Sequence, residues 1–303
     1  MSHACGVLPV DKPAGVTSHD VVAAIRRASG LRKVGHAGTL DPLATGLLLI
    51  CVGAATRISE YLAGHEKSYS VVARLGAETD TYDADGRIVA SHAGALPDDR
   101  SIDRAVSSMV GTLEQVPPPF SAVKQAGKPL YWYARRGDSP AVSPRTVTVL
   151  RLSWSRLDDS SIALEVRCSA GTYVRSLVHD LGRMLGCGAH VASLRRTSIG
   201  KLVVSEAVSL PEAERRLAAG DWSPVLSLSQ ALSDMPTLVL PSEAVRRMQR
   251  GQSVTLDVEG QPGPHLALNE HGQAIAIVEP GSEPGLWRPH KVLCTEENAC
   301  LER

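Results

Sequence analysis

The chain has 303 residues, 32 Lys+Arg against 32 Asp+Glu, and an apolar fraction of 43%. That length accommodates one large domain plus a smaller one, and that composition a sizeable buried core. No run of about 18 apolar residues is present, so no membrane-spanning helix is expected.

The first residues lack the basic-then-apolar order of a secretory signal, so a cytoplasmic protein is expected. Charge is uneven: residues 234–303 hold 6 Lys+Arg against 10 Asp+Glu, leaving 26 against 22 in the first 233. A mildly basic body with an acidic tail is compatible with a nucleic-acid partner, but it is not the basic stripe of a nonspecific binder. Cysteines at 5, 51, 168, 187, 294 and 300 show no C-x-x-C spacing. Reduced thiols, no disulfide framework and no metal site are expected.

In chain order, residues 6–10 and 11–18 read as an opening strand and turn. Thr17 and Asp20 form a capping-box pair that opens a helix with Val21, Val22, Ile25 and Ala28 on one face, and Gly30 is its stop. Arg26, Arg27, Arg32 and Lys33 cluster near its end. Gly35 to Gly46 then reads as a Gly-rich polar loop, carrying His36 and one carboxylate, Asp41, with Pro42 stiffening the chain after it. The unbroken apolar run 47–52 reads as a buried strand fed by that loop. Residues 68–75 alternate with Tyr69, Val71, Ala73 and Leu75 on one face, a strand by period two. Residues 76–86 form an acidic, polar loop.

Ile102, Ala105, Val106, Met109, Val110 and Leu113 keep helical spacing, with Gly111 weakening the end. Residues 117–120, Pro-Pro-Pro-Phe, are stiff and extended. Residues 146–152 and 162–168 read as strands and 172–184 as a helix. One more amphipathic helix falls within 207–229. A boundary follows at about residue 232, after which a short helix over 243–249 and short strands separated by Gly and Pro suggest a small β-barrel-like module. The chain holds no P-loop and no G-x-G-x-x-G.

On its own, Asp41 is as readily a turn-forming Asp-Pro as a reactive group. The whole string Gly35-His36-Ala37-Gly38-Thr39-Leu40-Asp41-Pro42-Leu43-Ala44-Thr45-Gly46, however, resembles the catalytic loop of the TruB family of tRNA pseudouridine synthases. Four more segments resemble that family in order: Lys12-Pro13-Ala14-Gly15-Val16-Thr17-Ser18, the block from Lys67 to Gly86, Gly171-Thr172-Tyr173-Val174-Arg175, and Ala189 to Arg196. The resemblance spans residues 6 to about 205 and is weaker beyond.

The resemblance implies an α+β pseudouridine synthase fold with a mixed, largely antiparallel sheet flanked by helices. A catalytic domain over 1–232 would precede a C-terminal PUA-like RNA-binding domain over 233–303. The implied activity is cofactor-free isomerisation of uridine to pseudouridine at position 55, in the T loop of tRNA. The target base would be flipped out of the folded RNA first. Asp41 would be the catalytic aspartate, as nucleophile at ribose C1′ or base at C2′. It must be ionised, so a neighbouring cation is expected, and Arg175 would be its partner. Tyr69 would stack on the base and take part in removing the C5 proton. Tyr173 would border the base, its peptide backbone reading uracil, and Leu194 would close the pocket. His36 would hold the flipped-out RNA.

Lys12, Lys124, Arg195 and Arg196 are candidate phosphate contacts, each weighed against an ordinary solvated charge. In the C-terminal module Arg246, Arg247, Arg250, Arg288 and Lys291 are the candidates. A monomer of the stand-alone bacterial type, with tRNA as partner and no obligate protein partner, is expected. The competing readings are a tRNA-binding folding helper with secondary catalysis and an unrelated Asp-nucleophile hydrolase. The latter would need a water-activating base that no second motif supplies.

Overall fold

The computed structural model describes residues 5–138, 140–258 and 261–294. Local sequence accounts for many of the element boundaries. Strand β1 (Gly6–Lys12) leads to helix α1 (Ser18–Ser29). The capping box is made as expected: Thr17 Oγ1 accepts from Asp20 N–H at 3.1 Å and Asp20 Oδ2 accepts from Thr17 N–H at 2.8 Å. Gly30 ends the helix at φ +69°, a backbone angle that glycine adopts without strain. Strands β2 (Val34–Ala37) and β3 (Thr45–Val52) pair antiparallel, with His36 opposite Ile50. The Gly-rich loop is therefore shorter than its composition suggests. His36 sits on a strand whose four residues are too few to show alternation.

A 3-10 turn (Gly53–Ile58) and α2 (Ser59–Ala63) lead to β4 (Lys67–Leu75), where the alternating residues are buried as expected. A short hairpin, β5 (Ala77–Thr79) and β6 (Ile88–Ser91), precedes α3 (Asp99–Ser108). That helix stops short of Leu113, which lies instead in β7 (Gly111–Gln115) opposite Val147. Gly111, at φ +113°, turns the chain where helical spacing alone would carry it on. A two-residue hairpin, β8 (Lys124–Gln125) and β9 (Lys128–Pro129), and α4 (Leu130–Ala134) follow. Next come β10 (Arg145–Arg156), β11 (Ser161–Cys168), α5 (Val174–Met184) and β12 (Ala189–Ile199). Two short strands, β13 (Leu202–Val203) and β14 (Val208–Ser209), and helices α6 (Leu210–Ala218) and α7 (Leu228–Ala231) precede the C-terminal segment. That segment holds β15 (Thr237–Val239), α8 (Ser242–Gln249), β16 (Val254–Thr255), β17 (His265–Leu268), β18 (Ala274–Pro280) and β19 (Leu286–Val292).

The chain forms two compact units, and it passes between them more than once. The first draws on 1–40, 47–63 and 201–303. Here β1 lies between β14 and β3, and β2 extends β3. Helix α1 packs on α6 and on β2. The apolar run of β3 is buried throughout 47–52, as a central strand requires. The C-terminal sheet has the order β15-β17-β18-β19-β16 and a core of its own around Leu240, Met248, Ile275, Val278 and Trp287. It is fastened within this unit by Lys291 of β19. The Lys291 ammonium donates to Arg57 O at 2.9 Å, pairs with Glu60 and lies 5.3 Å from the Tyr61 ring, while Arg57 donates to Val292 O. Lys291, expected among the RNA contacts, is thus committed to an internal joint.

The second unit draws on 41–46 and 64–200. Its strands run β7-β10-β11-β4-β12, all antiparallel, and the first residues of β3 add to β12 in parallel. The sheets are mixed and largely antiparallel. Helix α5 packs on β12, and α3 packs on β10 and α5. Among the described residues no helix is long and apolar enough to cross a membrane.

Gly46 marks a close backbone approach in this unit. It pairs with Arg196 at φ +99°, and a Cβ there would lie 2.2 Å from Arg196 O. Gly46→Ala is therefore expected to destabilise the protein by about 2–3 kcal/mol or more in urea unfolding. An unchanged midpoint would show that this approach is looser than described.

Candidate active site

Asp41 lies in the loop between β2 and β3. The loop closes on itself through Ala44 N–H donating to Asp41 O at 3.1 Å. The Asp41 side chain is 34% exposed, and its Oδ2 is 2.9 Å from Nε of Arg175. Arg175 is the second residue of α5 and only 4% exposed. Its Nη1 is 3.2 Å from Oδ2 of Asp83 and donates to Thr81 O at 2.9 Å, while Nη2 donates to Phe120 O at 2.9 Å. Nη1 and Nη2 are thus hydrogen-bonded, while buried Nε has, among the described residues, only its ion-pair approach to Asp41; a buried guanidinium requires such partners. The cation expected beside Asp41 is present, and it is shared with a second carboxylate.

Asp83 comes from the stretch read from sequence as a polar acidic loop. It is buried, its Oδ1 accepting from Thr81 Oγ1 at 2.6 Å and from Asp85 N–H at 3.2 Å. Thr79 Oγ1 donates to Asp83 O at 2.7 Å. Tyr82 holds φ +65°, uncommon for a residue with a side chain, and its ring stacks on His179 of α5 at 3.8 Å between centroids. Gly86 permits the tight return, since a Cβ there would lie 2.2 Å from Thr81 Oγ1. Thr79, Thr81, Asp83 and Gly86 stand in the T-D-T-x-D-x-x-G string; composition made it look solvated, and its fixed spacing was the available signal.

Tyr69 is buried on β4, directly opposite Arg196 of β12. Burial pushes its phenol up, and the Arg196 guanidinium, hydrogen-bonded to it, pulls it part of the way back. The Asp41 charge acts to raise both Tyr69 and Tyr173, which brings these three into one electrostatic environment. Burial and Arg196 hold the Lys67 ammonium, two residues before Tyr69, down at about 8. Leu194 is buried opposite Val71. Tyr173 caps the start of α5 with its ring half-buried. Its backbone is held by Gln115, which accepts from the N–H at 2.7 Å and donates to the carbonyl at 3.0 Å. Gln115 escaped the sequence reading because nothing local distinguishes it from any strand-end glutamine.

Two of the expected phosphate contacts are buried. Lys12 is wholly buried, and its ammonium donates to Pro13 O at 2.8 Å and Val16 O at 2.7 Å, fixing its own turn. Arg196 is buried at the Tyr69 register position rather than on the surface. Arg195 is half-buried beside Thr45, and Lys124 is exposed on the β8–β9 hairpin. Asp41, Tyr69, Tyr173, Arg175 and Leu194 all belong to the second unit, whereas Lys12 and His36 belong to the first. There His36 meets the edge of His19 at 5.5 Å. Among the described residues no cluster of His, Cys, Asp and Glu could hold a metal ion.

Removing the guanidinium would strand a buried carboxylate. Arg175→Met is expected to lower unfolding stability by about 3–5 kcal/mol, and adding Asp83→Asn should recover part of that loss. Strictly additive effects in the double-mutant cycle would refute the shared-cation arrangement.

Residues 26–174 match the model of the TruB family pseudouridylate synthase N-terminal domain, and residues 175–244 that of the tRNA pseudouridylate synthase B C-terminal domain. The tRNA pseudouridine synthase B of Syntrophotalea carbinolica is 42% identical over 277 residues, covering 90% of each chain. That of Geobacillus thermodenitrificans is 40% identical over 304 residues, 95% of this chain and 99% of the relative. Among solved structures, a chain of an H/ACA RNP bound to a substrate RNA containing 2′-deoxyuridine matches with a TM-score of 0.74 at 22% identity, covering 97% of this chain and 86% of that one. A chain of the archaeal box H/ACA sRNP Nop10-Cbf5 complex matches with 0.73 at 24%, covering 98% and 89%. The likeness to these two structures is one of fold, while the family models and the full-length relatives fix the lineage: the chain belongs to the TruB family of pseudouridylate synthases.

Proposed function

We propose that this enzyme is cytoplasmic and isomerises uridine to pseudouridine at position 55, in the T loop of tRNA, working as a single chain and without a cofactor. The full-length relatives named tRNA pseudouridine synthase B support tRNA as the substrate. The Asp41–Arg175 pair is the observation that carries the mechanism. Arg175 is buried and held by Thr81 O, Phe120 O and Asp83, so it orients the Asp41 carboxylate, whose side chain stays about one-third accessible. A carboxylate so held suits attack at ribose C1′ or removal of the C2′ proton, two alternative steps that would break the C1′–N1 bond and free the base.

The freed uracil must turn within the pocket and rejoin through C5. Tyr69 supplies a ring to cover it and a hydroxyl within reach of Arg196 for the proton that C5 loses. Tyr173 and Leu194 form apolar walls, His36 holds the flipped-out RNA, and Lys124 and Arg195 meet phosphates. Asp41→Asn should abolish product formation on an unmodified tRNA transcript while keeping affinity within about threefold, since it removes only a transition-state interaction. Tyr69→Phe should bind and lose most turnover. Appreciable turnover by purified Asp41→Asn would sink the assignment.

We further propose that 233–303 is a PUA-like module that adds RNA contacts away from the chemistry. Its exposed Arg246, Arg247 and Arg288 support that reading. Reversing these charges should raise KM more than it lowers kcat. The salt slope of binding should fall by roughly 0.7–0.9 per lost phosphate contact. Unchanged KM and slope would assign the module another purpose.

A further inference from the structure

Gln115 ends β7, where it lies opposite Arg145 of β10, and it is 3% exposed. Its carboxamide lies edge-on to the peptide of Tyr173, accepting from the N–H at 2.7 Å and donating to the carbonyl at 3.0 Å. That carbonyl also accepts the first helical bond of α5, from Leu177 N–H at 3.0 Å. Helix α5 has no side-chain cap of its own, because its N-cap residue is a tyrosine. A glutamine 58 residues earlier in the chain therefore does what a cap does elsewhere. The segment that follows it is bonded to the same turn: Ser176 Oγ donates to Val116 O at 2.8 Å and Arg175 Nη2 to Phe120 O at 2.9 Å.

We propose that Gln115 is a positioning residue for pseudouridine formation: it sets where α5 begins, and so places the Tyr173 ring and the Arg175 guanidinium. The inference rests on the Asp41–Arg175 pair being the catalytic one. The physical reason is geometric. Arg175 lies two residues beyond the peptide that Gln115 grips, and it must meet two carboxylates and two carbonyls at once. A drift of the helix start by a fraction of a turn would turn Asp41 away from the ribose, and a displacement of about 1 Å at a reacting group can cost roughly 100-fold in rate.

The test measures single-turnover pseudouridine formation on an unmodified tRNA transcript at saturating enzyme, with the dissociation constant measured alongside. Gln115→Met keeps side-chain length and removes both bonds. Its rate should fall roughly 10- to 100-fold with affinity within about threefold. Gln115→Glu separates the two bonds. As a carboxylate it accepts from Tyr173 N–H but repels the carbonyl; protonated, it restores both. Its rate relative to the unsubstituted protein should therefore rise as pH falls from about 8 to about 5.5, since burial against a carbonyl favours the protonated acid.

That ratio compares two folded proteins across pH and carries the test if Gln115→Met fails to fold. A Gln115→Met rate equal to that of the unsubstituted protein, or a Gln115→Glu ratio flat with pH, would overturn the proposal. If the unsubstituted protein makes no pseudouridine, the functional reading itself fails. If it is active and the Gln115 variants match it, the positioning role alone fails.

Discussion

The guanidinium of Arg175 sits out of water between two carboxylates and two carbonyl oxygens, supplied by three segments far apart in the chain. Taking an arginine out of water costs several kcal/mol unless its donors are met, so the loops at 41–46 and 79–86 and the Pro-rich segment before Phe120 must all arrive together. One cation serves two anions, and the anions are not equivalent. Asp83 is buried and wrapped by Thr81 and the Asp85 N–H, which fits it to be the permanent counter-ion. Asp41 keeps an accessible face. The division follows burial: the desolvated carboxylate is the one enclosed by hydrogen bonds, and the other is the more exposed.

Strand β12 sets the distances around that pair. Along one edge its Arg195 and Arg196 lie against Thr45 and Gly46, the end of the Asp41 loop. Along the other they lie against Ser70 and Tyr69. One dipeptide therefore fixes the loop and the tyrosine strand relative to each other, and a slip of a single residue would turn Tyr69 to the opposite face. Gly46 is needed because the backbones approach too closely for any Cβ. Arg196 then adds a buried charge beside the phenol. The L-R-R string is thus part of the scaffold of the site, while Lys124 stays exposed at a hairpin.

The C-terminal segment follows a different logic. Its sheet closes a core of its own around Trp287, whose indole N–H donates to Val258 O at 3.2 Å. Its tie to the preceding chain runs through Lys291 and backbone carbonyls. With Lys291 engaged, the exposed arginines of this segment are Arg246, Arg247, Arg250 and Arg288 among the described residues.

Several elements of both units were legible in the sequence. Period-two burial announced β4 and Tyr69, an apolar run announced β3, the Thr17–Asp20 pair announced α1, and five ordered motif segments announced the family with Asp41, Tyr69 and Arg175 in it. These signals are local: periodicity, capping and turn chemistry act over a few residues. What the sequence could not settle was decided by contacts between distant segments. Asp83 looked like one more solvated acid until a guanidinium 92 positions on was buried against it. Lys12 and Arg196 looked like phosphate contacts until the fold closed over them, Gln115 like an ordinary strand end until it gripped Tyr173. Leu113 fitted a helix until Gly111 turned the chain into a strand. In each case the residue type permits both outcomes, and the choice depends on which partner the fold brings into contact, which is set by packing and register rather than by neighbours in the chain.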